Sequence, residues 1–210
     1  MATARRIDIE VAIGSLRLLV AGSVAKPSTS QHAVTAELIW PRNGMPSKRY
    51  ARIVTLRKNV CEFKADDWID AILFKDAVEG RFALRLTISQ ALSDSVAEKL
   101  LRVIAKAAAA EAADKAEDLV PKDIDKIFAA PIDFLASALA GEERPPVAEG
   151  LIVLDAGSLP ASGTVLTLPL TSPSRLTRTR SAPTGKGRKR VEVIGKGDPN
   201  GEAALTVAVS

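Results

Sequence analysis

Between Trp68 and Asp118 the chain changes its hydrophobic period once, near Ser89, and that change restricts every fold open to it. Before it, Phe82, Leu84, Leu86 and Ile88 alternate with Arg81, Arg85 and Thr87 among the residues between them, the pattern of a half-buried strand. After it, Val96, Leu100, Val103, Ile104 and Ala107 recur at helical spacing. The pattern predicts a hairpin, Ile69 to Phe74 paired with Phe82 to Ile88 across a connection ending at Gly80, that feeds a long helix. Ser95 and Glu98 stand three apart as a capping box, and Ser93 is an alternative cap.

That helix runs to about Asp118 and carries a face of small side chains, Ala107, Ala108 and Ala112, with Leu119 just beyond. So weak an apolar face needs a partner surface, because most helical stability in proteins comes from packing. Pro121 suits the first turn of a second helix, whose stripe is Ile124, Ile127, Phe128, Ile132, Leu135 and Leu139. Pro131 would kink it and Gly141 end it. An αα-hairpin is expected at about 93–141, packed on its own sheet or offered to a partner through Ala107, Ala108, Ala112 and Leu119.

The rest of the chain reads as short strands. Ile7 to Ile13 and Leu16 to Ala21 flank a Gly14-Ser15 break, read as a tight turn. Ala33 to Trp40 ends at Pro41; Tyr50 to Leu56, Val60 to Phe63, Leu151 to Leu154 and Thr164 to Leu170 follow. Val191 to Ile194 and Ala203 to Val209 look like a terminal hairpin around Gly-Lys-Gly-Asp-Pro-Asn-Gly. Aromatics make up only 4% of residues, so the core must be built from Val, Ile, Leu and Ala. About ten strands and one helical excursion predict a mainly β (α+β) chain: a single domain over 1–210, an antiparallel β-sandwich carrying the helical hairpin. C2-like and jelly-roll-like arrangements match it in strand count, an analogy that brings no function with it.

Charge is concentrated in one place. No acidic residue lies between Asp155 and Glu192, whereas Arg175, Arg178, Arg180, Lys186, Arg188, Lys189 and Arg190 all do. Without those seven the chain holds 22 basic residues against 25 acidic ones, so its net +4 would become −3. The stretch over 171–190 reads as a basic mobile loop able to meet phosphate, anionic lipid or an acidic protein surface. Gly185-Lys186-Gly187 resembles a phosphate cradle but lacks the first glycine and the Ser/Thr of a P-loop. No aromatic residue lies between Leu170 and Ser210, so this segment offers no platform for stacked bases.

Catalytic groups are sparse. The single histidine, His32, has no G-x-S-x-G serine to serve, and Cys61 sits beside apolar Val60 and near Phe63, as a structural cysteine would. One His and one Cys do not make a zinc site. Asp66, Asp67 and Asp70 beside Trp68 are calcium candidates in a loop, without the EF-hand spacing; Asp66 with Asp70 would be the acid pair of any carboxylate enzyme. No run of about 20 apolar residues suggests a membrane span. The sequence therefore predicts a cytoplasmic, non-enzymatic structural or interaction protein without cofactor. It would bind a protein partner or form a homo-oligomer through the helical hairpin and basic loop. The alternative is a C2-like module on anionic lipid, with or without calcium.

Overall fold

The computed structural model describes residues 6–22, 29–40, 47–63, 71–92, 130–131, 146–181 and 189–209. In chain order the strands are β1 (Arg6–Leu18), β2 (Thr29–Ile39), β3 (Lys48–Arg57), β4 (Val60–Glu62), β5 (Ile72–Glu79) and β6 (Arg81–Ser89). They continue as β7 (Ala130–Pro131), β8 (Pro146–Asp155), β9 (Thr164–Thr171), β10 (Leu176–Ser181), β11 (Lys189–Ile194) and β12 (Pro199–Val209).

Eight of these form a closed barrel. The order β12-β9-β8-β6-β2-β3-β4-β1 returns to its start because β1 also pairs with β12, Ile9 opposite Val209 through to Leu18 opposite Gly201. The other edge of β1 is shared by β5, along Arg6 to Ala12, and β4, along Ser15 to Arg17. The two-layer sandwich is thereby corrected. Alternation tells which face of a strand is apolar but not which strand lies next to it, and here the first and last strands meet.

Two joints in the ring are narrow. β3 and β4 pair only at Arg57 and Val60, flanking a turn where Lys58 and Asn59 both have positive φ. β8 and β9 pair only at Glu149 and Thr171. Beside that joint Gly150 lies so close to β9 that a Cβ there would stand 2.7 Å from the Pro169 carbonyl oxygen. Aliphatic side chains fill the interior, with Phe74 and Phe82 the largest fully buried.

Other expectations change with the topology. Gly14-Ser15 is not a turn: β1 runs straight through it with a bulge between Ile13 and Ser15, which moves the buried positions from Ile9, Val11 and Ile13 to Leu16 and Leu18. β5 and β6 are consecutive yet not paired: β5 lies on β1, whereas β6 lies between β2 and β8. β11 pairs with β10 and β12 with β1 and β9, so no terminal hairpin forms.

The αα-hairpin at about 93–141 falls almost wholly outside the described residues. Where the structure does describe that stretch, at Ala130–Pro131, the backbone is extended and pairs with Tyr50 and Ala51 of β3. A proline has no N–H for a helix ladder and is tolerated in a short edge strand, which accounts for the correction of the kinked second helix at that point. Among the described residues no helix reaches seven residues and 75% are β, so the α+β expectation gives way to an all-β fold there.

Candidate functional site

The basic segment leaves the barrel between two neighbouring strands. β9 and β12 are antiparallel partners, Thr171 opposite Pro199, and residues 172–198 are the connection between them. Part of that connection forms its own two-stranded sheet, β10 paired with β11, and neither strand joins the barrel ladder. Thr-Arg-Thr-Arg alternation and the Val-Glu-Val-Ile stretch are strand-forming sequences, so the stretch read as a mobile loop is β-ribbon at Leu176–Ser181 and Lys189–Ile194.

The base of the ribbon is fixed. Leu176 and Ile194 stand opposite each other and both are buried in the barrel's hydrophobic cluster. Just outside, buried Ser172 donates its N–H to the Asp198 carbonyl at 2.9 Å and accepts the Gly197 N–H at 2.7 Å. The Asp198 carboxylate accepts the Gly195 N–H at 2.8 Å, which holds the returning turn. Approach and return are thus clasped before the first cationic positions.

The register then sets Arg178 opposite Glu192, Arg180 opposite Arg190 and Ser181 opposite Lys189. Arg175 is exposed at the approach to β10. Four of the seven cations expected to bind anions therefore belong to the ribbon and Arg175 lies just before it, whereas Lys186 and Arg188 lie outside the described residues. Like charges directly opposite in an antiparallel pair are unfavourable, and an anion shared between them removes the penalty.

Other polar clusters serve the fold. Glu37 of β2 faces Arg49 of β3 and Arg85 of β6 in the same cross-strand row, with carboxylate contacts of 2.9 and 3.0 Å. Burial pushes the Glu37 carboxyl up, but bonds from Ser47 and Arg49 and the attraction of both arginines outweigh it and hold it below the usual range. Asp76 accepts from Lys48 Nζ at 2.7 Å and from the Tyr50 hydroxyl at 2.8 Å. Burial, then that bond and charge, push the Tyr50 hydroxyl well above its ordinary value. The sequence held no sign of either cluster, because both depend on register.

A recess of about 290 Å³ lies beside the β8–β9 joint, lined by Arg85, Glu149, Gly150, Leu151 and Thr171. Its cation is committed to Glu37 and its carboxylate offsets any anion preference, so its lining selects no charge class. His32 is fully buried with both ring nitrogens in hydrogen bonds, Nδ1 to the Ser89 carbonyl and Nε2 to Ser30 Oγ. Burial, and secondarily Glu62, push the Cys61 thiol up, the opposite of an activated nucleophile.

No group of three or more His, Cys, Asp or Glu able to hold a metal occurs among the described residues. Asp66, Asp67 and Asp70, the calcium candidates, lie outside them, as do Ala107, Ala108, Ala112 and Leu119. Among the described residues no helix is long and apolar enough to cross a membrane.

No protein-family model and no curated protein matches the chain. Among solved structures it is similar to the C2A domain of a plant extended synaptotagmin 1, with TM-score 0.37 and 10% identity over 97% of this chain and 95% of that one. A similarity that slight carries neither fold nor function to this chain.

Proposed function

We propose that the chain is a non-catalytic binding module whose β10–β11 ribbon takes a phosphate-bearing polyanion. The carrying observation is the register of that ribbon, which sets Arg180 against Arg190 one step from Lys189 on a base clasped to the barrel. A cross-strand pair of arginines is a cost in the free protein and an asset once an anion lies between them. The absence of any acidic residue from Ala156 to Val191 leaves no carboxylate within the segment to compete for those cations. Glu192 opposite Arg178 is the first to do so. This reading replaces interaction through a helical hairpin.

Inorganic polyphosphate is the suitable first probe, since it presents phosphate without lipid or base. Titration calorimetry should show binding at low salt that weakens steeply as salt is added, because release of condensed counterions drives it. Replacing Arg178, Arg180, Lys189 and Arg190 by Gln should abolish it while leaving the melting transition in place. No binding at low salt, whether read by calorimetry or by anisotropy of a labelled polyphosphate, would overturn the proposal. Salt-sensitive association with an acidic protein alone would make the ribbon a protein-docking element instead.

A further inference from the structure

We infer that the polyanion is duplex DNA and that the β10–β11 ribbon enters its major groove; this rests on the polyanion reading above. The shape of the element is the first argument. The ribbon is two strands wide and has six register pairs from Leu176–Ile194 to Ser181–Lys189. Two strands about 4.8 Å apart and roughly 20 Å long make a body that fits a major groove about 12 Å wide. Neither β10 nor β11 is laddered to the barrel, and the basal pair Leu176–Ile194 belongs to the buried core.

Residue chemistry then separates the anionic surfaces. From Thr177 to Arg190 the sequence has no aromatic and no large aliphatic residue. A membrane-surface element normally adds apolar side chains that sink below the headgroups, and a single-strand binder adds rings on which bases stack. This segment has neither. What it has are arginines alternating with Thr177, Thr179 and Ser181, cations and small hydroxyls of the kind that contact duplex phosphates. The major groove of A-form RNA is too deep and narrow to admit such a ribbon, which leaves B-form DNA as the partner.

The test compares three phosphate surfaces on the full chain: a DNA duplex of about two helical turns, the corresponding RNA duplex, and vesicles of phosphatidylserine with phosphatidylcholine. Fluorescence anisotropy should give DNA binding that weakens roughly 10²- to 10³-fold between about 50 and about 200 mM salt, as expected for some five phosphate contacts. The RNA duplex and the vesicles should bind at least tenfold more weakly.

In R180Q/R190Q the slope of log Kd against log salt should fall by about 1.8, or about 0.9 per cation. R57Q/K58N removes two exposed cations from the β3–β4 turn and should leave the slope unchanged. Vesicle binding without DNA binding would overturn the DNA assignment and leave the polyanion reading standing. Binding to none of the three, or DNA binding that R180Q/R190Q does not weaken, would overturn both.

Discussion

The Tyr50 hydroxyl donates to Asp76 Oδ2 at 2.8 Å across a part of the barrel wall where β3 and β5 share no ladder pair among the described residues. The ring of Tyr50 stacks on Phe74, centroids 4.6 Å apart and planes 9° from parallel. Lys48 reaches the same carboxylate from β3. Side chains thus join β3 to β5 where the two strands share no backbone ladder.

Tyr50 is the only tyrosine, so its titration can be followed alone by tyrosinate absorbance. Its hydroxyl is raised in the fold by burial and by Asp76. A raised folded pKa means the unfolded chain releases its proton first, near pH 10, and stability falls as pH rises beyond that point. Wild type should show no tyrosinate at pH ~10.5 until it unfolds. Y50F keeps the stack, should lose about 1 kcal/mol at neutral pH, and should decline less steeply above pH 10. Free titration of Tyr50 at its ordinary value would refute this side-chain link.

Asn200 does corresponding work beside the narrow β8–β9 joint. Fully buried at the start of β12, it accepts the Val20 N–H through Oδ1 at 2.8 Å and donates Nδ2–H to the carbonyls of Val20 and Val147 at 2.9 and 2.7 Å. Val147 is the second residue of β8, two before Glu149 of the single Glu149–Thr171 pair. N200L orphans three buried backbone groups and should cost about 2–4 kcal/mol. N200D should cost at least as much at neutral pH, since its carboxylate faces two carbonyl oxygens. It should regain part of that loss in acid, where a protonated carboxyl can donate again. Denaturant midpoints at two pH values decide it; equal losses at both pH values for N200D would rule out the donor role.

Gly201 tests the closure of the ring itself. Its φ is +138°, and an added Cβ would collide with the Arg17 carbonyl oxygen of β1. It is the last register position of the β1–β12 pairing, opposite Leu18. G201A should cost about 3 kcal/mol or more, because backbone on both strands has to move. A melting temperature within a degree or two of wild type would show that the ring does not depend on this approach.

Strands were legible from the sequence where period two holds, as at Ile7–Ile13, Tyr50–Leu56, Phe82–Ile88 and Thr164–Leu170, each contained in an observed strand. Neighbours were not legible, since nothing local to Ile9 reveals that Val209 will lie opposite. One signal was present and misread: the buried set passes from odd to even numbers at Gly14-Ser15, and a one-residue phase change without loss of strand character is the mark of a bulge. The positive charge of the candidate site was also legible. Its ribbon form was obscured because Arg and Thr alternate without apolar residues, so period two carried no hydrophobic contrast over Leu176–Ser181.

His32 gives the most selective pH prediction, because it is the only histidine in the chain. Ser89 offers a carbonyl, so Nδ1 carries the proton and donates at 2.9 Å, and Nε2 accepts from the Ser30 hydroxyl at 2.8 Å. The neutral ring thereby ties the start of β2 to the end of β6, where Ser89 Oγ also accepts the Ala33 N–H. Burial lowers its folded pKa despite the opposing bond to Ser89. A lowered folded pKa means the unfolded chain takes up the proton first, near pH 6.5. The stability contributed by His32 is therefore complete above that value and declines as pH falls toward the folded pKa. The decline should set in below about pH 6.5, at no more than about 1.4 kcal/mol per pH unit, before most carboxylates respond. H32Q should be less stable at neutral pH, through lost packing and bonds, yet nearly flat across the same interval. Parallel urea-derived stability curves for the two proteins would show that the buried imidazole is not what senses the acid.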